Sequence, residues 1–138
     1  MNKIDSFSGG YRFLSNFWYN PDGYTNEHRF QAAKAKHKEH YDWIMESKSP
    51  GEAKRRGRQV PMREDWNDIR IGVMLELTTE KFKDPALRAQ LLATGDAELI
   101  EGNTWGDRFW GVCDGEGQNW LGQCLMNVRE GIRNVQGS

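Results

Sequence analysis

Four prolines punctuate this 138-residue chain, and each sits where it can begin or stop an element. Proline fixes φ and lacks an N–H, so it suits turns and first helical positions but not helix interiors. Asn20-Pro21-Asp22-Gly23 is a turn signature. In Ser49-Pro50-Gly51-Glu52, Ser49 can cap a helix, Pro50 takes its first position and Glu52 completes a capping box. That helix is predicted to stop near Gly57, ahead of Pro61. Asp84-Pro85 starts another, with Leu87, Leu91 and Leu92 inward and Gly95 as terminator.

Between these marks the periodicity is mostly helical. Helix formers run from 27 to about 38, with Thr25 or Asn26 as N-cap. A short helix is predicted near 41–46. Asp65 opens a longer one, in which Trp66, Ile69, Val73 and Leu77 make one buried face. The last helix spans about 119–133, with Leu121, Cys124, Leu125, Val128 and Ile132 apolar. The aromatic, glycine-punctuated stretch 7–19, with Tyr11, Phe13 and Phe17, reads as an irregular strand or loop. Strands are predicted at 97–101 and 109–113, with a turn around Asn103. The expected fold is mainly α with a small β-sheet. Length and the lack of repeats or linkers favour one compact domain over residues 1–138.

Composition narrows the function. With 19 Lys and Arg against 20 Asp and Glu, the net charge is -1, which excludes a protein held to nucleic acid by bulk charge. No apolar run approaches the roughly 18 residues of a membrane span, and the first ten residues carry no signal-peptide core. Cys113 and Cys124 are too few for a disulfide scaffold, so both are read as reduced core residues and the compartment as cytoplasmic. Charge is nonetheless uneven: residues 29–63 hold ten Lys or Arg against four acids, and the rest nine against sixteen. Such a stretch is either a solvated face or a site for a phosphate-bearing ligand. Six tryptophans serve packing or stacking on a planar ligand.

Four constellations carry candidate chemistry. In Glu27-His28-Arg29-Phe30-Gln31-Ala32-Ala33-Lys34, a helix puts Glu27, Gln31 and Lys34 on one face at i, i+4 and i+7. They form either one wall of a site or a solvated face. Trp105-Gly106-Asp107, followed by Trp110-Gly111, suits a pocket where tryptophan stacks on a ring and Asp107 faces a developing positive charge. The alternative is a hairpin turn with tryptophan packed over it. Asp114-Gly115-Glu116-Gly117-Gln118-Asn119 leads into the last helix and is an anion loop or a plain loop. It misses the dinucleotide fingerprint, because Trp120 stands where the third glycine belongs. Lys54, Arg55, Arg56 and Arg58, with Arg63, are phosphate ligands or an ordinary helix C-terminal charge pattern. The three histidines have no companion cysteine pattern, so no metal site is expected.

The order of motifs along the chain is more telling than any one of them. Phe13-Leu14-Ser15-Asn16-Phe17, Glu27 to Lys34 as quoted above, Gly57-Arg58-Gln59-Val60 and Arg63-Glu64-Asp65-Trp66 come first. Leu91-Leu92-Ala93-Thr94-Gly95-Asp96, Trp105-Gly106-Asp107, Trp110-Gly111-Val112 and Asn119-Trp120-Leu121-Gly122 follow. In this the chain resembles the YbiA-like family, also called NADAR domains, over nearly its whole length. The resemblance implies a compact, mainly helical domain with N-glycosidase activity and no cofactor. It implies one of two substrate branches. One removes ADP-ribose from guanine in a nucleoside or nucleic acid, sometimes beside a DNA ADP-ribosylating toxin. The other cleaves phosphoribosylated pyrimidine intermediates of riboflavin synthesis. The first is the preferred expectation.

Carried over by position, the resemblance implies Glu27, Lys34 and Asp107 as catalytic, although Gly106 here separates Asp107 from its tryptophan. It implies Asn16, Arg58 and Asn119 as ribose or phosphate contacts. Trp105 or Trp18 would stack on the base, Trp110 would contact the substrate, and Gln31 would line one wall with Glu27 and Lys34. Lys34 would hold a phosphate or hydroxyl, or attack the opened ribose aldehyde to form an imine. An imine needs a neutral amine, hence desolvation or a nearby cation such as Lys36, Arg58 or Arg29. A binding module without turnover and an interface protein are the rival classes.

Overall fold

The computed structural model describes residues 2–136. The chain divides into two compact units, Asn16–Leu77 and a second formed by residues 2–15 with 78–136. The first unit begins with the turn that the Asn20-Pro21-Asp22-Gly23 signature predicts. Gly23 has φ 87° and its N–H donates to Asn20 O at 2.9 Å. The flanking Tyr19 and Thr25 pair in an antiparallel bridge. Thr25 then caps α1 (Asn26–Ala33), its Oγ1 accepting from His28 N at 3.1 Å. Helix α2 (Lys38–Met45) and α3 (Pro50–Gly57) pack with α1 around Ala32, Ile44 and Ala53, all fully buried. Small residues on α1 and α3 let the two backbones approach closely.

Helix α1 is shorter than the 27–38 predicted. Residues 34–36 lie instead along 61–63: Lys36 N–H donates to Pro61 O, Arg63 N–H donates to Lys34 O, both at 2.9 Å, and Ala35 bridges Met62. Pairing with a distant strand-like segment replaces the helical bonds that local propensity favours. Ser49 caps α3 as expected, accepting from Glu52 N at 3.1 Å. Glu52 reaches back to Lys48 N rather than to Ser49, so the capping box is displaced by one residue.

Helix α4 (Trp66–Lys81) forms where predicted, but its buried stripe is rotated. Trp66, Met74, Thr78 and Lys81 are buried, while Ile69, Val73 and Leu77 are half-buried. Phe30 packs on Trp66 with ring centroids 5.0 Å apart.

In the other unit, the stretch 7–19 is neither strand nor plain loop at its centre, because Gly9–Leu14 is a 3-10 helix burying Phe13 and Leu14. Asp84 caps α5 (Pro85–Ala93) through Leu87 N, and Gly95, at φ 62°, follows its end. The small sheet is two separate parallel pairs. The unpredicted β1 (Lys3–Ile4) joins β2 (Glu98–Leu99), and β3 (Gly102–Asn103) joins β4 (Val112–Cys113). Asn103, read from sequence as a turn, is thus strand. Helix α6 (Trp120–Gln136) buries Leu121, Cys124, Leu125 and Val128. The mainly α architecture with small β elements agrees with the expectation. Among the described residues no helix is long and apolar enough to cross a membrane.

Candidate active site

Three of the residues expected at the site meet on one wall of the first unit. Glu27 enters at the first turn of α1, where the helix dipole favours a carboxylate. Its N–H donates to Asn16 O at 3.0 Å, which ties Asn16 to the helix start. Glu27 and Gln31 are only 8% and 7% exposed. Gln31 Nε2 donates to Glu27 Oε1 at 3.1 Å, the i, i+4 contact expected from spacing. The remaining Gln31 Oε1 is buried without a hydrogen-bond partner among the described residues.

Lys34 caps the C-terminal end of α1 and is half-buried. Burial is the main force pushing its amine below the ordinary value; the Glu27 carboxylate raises it and the Arg58 guanidinium lowers it. Of the three cations named from sequence, Arg58 is therefore the one that acts. Arg58 follows α3 directly and is exposed. Gly57, the last residue of α3, lies against both Gln31 and Lys34.

The backbone of this wall is held from behind. His28, adjacent to Glu27, is buried, with Nδ1 2.8 Å from Thr25 Oγ1 and Nε2 2.9 Å from Ser47 O. Asn16 Nδ2 donates to Met74 Sδ at 3.5 Å. Trp18 is partly exposed on the turn before α1. Several other basic residues of the stretch are engaged. Arg55 and Arg56 pair with Glu52, Arg56 also stacks over Trp43, and Arg63 pairs with Asp65. A groove of about 450 Å³ is lined by Ala33, Ala35, Lys36, His37, Lys38, Tyr41 and Arg63. Neither Glu27, Gln31 nor Lys34 lines it, so it is a separate depression.

The second unit holds Trp105, Asp107, Trp110 and Asn119. Asp107 Oδ1 accepts from Phe109 N at 3.1 Å and Trp110 N at 2.9 Å, an Asx-type turn. Asn103 donates to Asp107 O and accepts from Asp107 N, both at 2.9 Å, which ties the loop at its base. Gly106 turns it at φ 86°. Trp105 is 63% exposed. Trp110 meets Phe109 edge to face. Asn119, at φ 54°, accepts from Glu101 N and donates to Leu99 O, both at 2.9 Å. Its amide thus stands in for a strand beside residues 99–101, a structural role. In 114–117, Cys113 and Glu116 pair across a tight turn and Arg108 lies near both Asp114 and Glu116. That geometry is a plain loop.

The sequence model of the NADAR domain matches residues 8–133, and the chain belongs to that family. It is 41% identical over 110 residues to N-glycosidase YbiA of Escherichia coli (strain K12), covering 77% of this chain and 68% of that protein. It is 40% identical over 113 residues to riboflavin biosynthesis protein VVA0006 of Vibrio vulnificus, covering 79% of this chain and 30% of that one. Its fold is similar to the NMR structure of E. coli YbiA, with TM-score 0.83 and 38% identity, over 97% of this chain and 85% of the other.

Proposed function

We propose that this chain is an N-glycosidase that breaks the bond between a ribose anomeric carbon and a base nitrogen. The observation that carries the reading is the pairing of Glu27 with Gln31 beside a half-buried Lys34 whose amine is pushed below its ordinary value. The names of the curated relatives support the class of reaction. ADP-ribose on guanine is the preferred substrate. Phosphoribosylated pyrimidines of riboflavin synthesis are the second reading, favoured by the name of the Vibrio relative.

In this scheme the ribose ring opens, O4′ taking a proton as C1′–O4′ breaks to leave a C1′=N double bond. The neutral Lys34 amine adds to C1′, breaking that π bond and releasing its own proton to the departing nitrogen. The C1′–N bond then breaks, its electron pair remains on the departing nitrogen, and that nitrogen takes up a proton. Water hydrolyses the resulting imine, returning the amine and the sugar aldehyde. The Glu27 carboxylate faces the cationic states on this path and stabilises them. Within the same unit, Asn16, Arg58 and Trp18 supply sugar, phosphate and base contacts.

The test is mass spectrometry of an ADP-ribosylated guanine oligonucleotide after incubation with wild type and with Lys34→Ala. Wild type should remove the ADP-ribose mass and Lys34→Ala should leave it. Borohydride added during turnover should leave a sugar adduct on Lys34. An unchanged oligonucleotide together with cleavage of the pyrimidine phosphoriboside selects the second branch. Inertness toward both rejects the glycosidase reading.

A further inference from the structure

Gly57 ends α3 outside the left-handed backbone region, so nothing in its dihedrals calls for glycine. Alanine is the better helix former. Space supplies the reason. A Cβ on Gly57 would lie 2.1 Å from Gln31 Oε1 and 3.1 Å from Lys34 Cε. Gln31 Oε1, buried and without a conventional partner among the described residues, rests on the bare Cα, where a weak C–H contact is available. The amide is then oriented by both ends: its nitrogen lies on Glu27 and its oxygen on Gly57. Flipped, it would set oxygen against a carboxylate oxygen.

We propose that Gly57 is a positioning residue: the space left by its missing side chain seats the Gln31 amide, directs its nitrogen onto Glu27 and lets the Lys34 stem lie against α3. The kinetic consequence rests on the glycosidase reading; the positional one rests on geometry. In Gly57→Ala the methyl displaces the amide from its seat and removes its bond to Glu27, and the Lys34 stem gives way by a few tenths of an ångström.

The experiment compares wild type, Gly57→Ala, Gln31→Ala and the double variant. On the ADP-ribosylated oligonucleotide, Gly57→Ala should lower kcat about tenfold or more, with a much smaller change in KM. Added to Gln31→Ala, the same substitution should cost less than threefold, because the amide it would displace is already gone. Without any substrate, NMR titration of labelled lysine side chains should place Lys34 at higher pH in Gly57→Ala than in wild type. Unchanged kcat and Lys34 titration in a folded Gly57→Ala, or fully additive losses in the double variant, overturn the proposal. If wild type cleaves neither candidate substrate but Gly57→Ala still moves the Lys34 titration, the positioning role stands and the glycosidase reading falls. If Gly57→Ala does not fold, the double variant decides: folding supports the proposal and failure to fold overturns it.

Discussion

Glu27 and Arg58 act on the Lys34 amine with opposite signs, on top of the larger effect of burial. A neutral amine is the reactive form, so on the imine path turnover rises with pH as Lys34 deprotonates. Arg58→Gln removes a cation, which raises the Lys34 pKa and moves the ascending limb to higher pH. Glu27→Gln removes an anion and moves the limb to lower pH, while turnover itself falls. Opposite displacements in the two pH–rate profiles are the expected outcome, and shifts of the same sign would remove Lys34 from the role of nucleophile. The Glu27, Gln31 and Lys34 face was legible in sequence because i, i+4 geometry is local. Gly57 showed as a helix stop and as the first residue of the Gly57-Arg58-Gln59-Val60 motif, not as a neighbour of Gln31. Its approach to Gln31 joins residues far apart in the chain, and no local pattern encodes it.

At the scale of elements, caps and close approaches decide what forms. Thr25 both caps α1 and bonds the His28 ring, so Thr25→Ala should cost about 1–2 kcal/mol, measured by urea unfolding. Gly122 on α6 has a similar spatial reason for being glycine, since a Cβ there would lie 2.1 Å from Leu99 O. Gly122→Ala should separate α6 from β2 and destabilise by about 1–3 kcal/mol, read as a lower Tm. The proline-marked helices α3 and α5 were readable because their starts depend on three or four adjacent residues. The end of α1 was not, because residues 61–63 recruit 34–36 out of the helix. Asn103 and Asn119 failed to show as structural residues for a related reason: each uses its side-chain amide on backbone from another part of the chain.

Over the whole molecule, the most consequential buried charge is Lys81, 5% exposed on α4. Its ammonium donates to Ser15 O at 2.9 Å, and burial lowers its pKa to about 7 from 10.5. Between those values the unfolded chain binds more protons than the folded one, so stability should rise with pH across that window. The rise from this one group is on the order of a few kcal/mol. Lys81→Met should flatten it and stabilise the protein at pH 6, as urea midpoints at pH 6, 7.5 and 9.5 would measure. An unchanged slope would mean that Lys81 titrates as in water.

By itself the sequence determined where the capped helices α1, α3 and α5 start, which turn precedes α1, and that Glu27 and Gln31 share a face. These depend on dihedral limits, capping and spacing within a few residues. Tertiary structure alone decided that α1 ends at Ala33, that α4 buries Lys81, and that Gly57 closes on Gln31 and Lys34. Each of those outcomes is set by which distant backbone or side chain occupies the neighbouring space. Close packing makes that occupancy selective to fractions of an ångström, well beyond what apolar periodicity specifies.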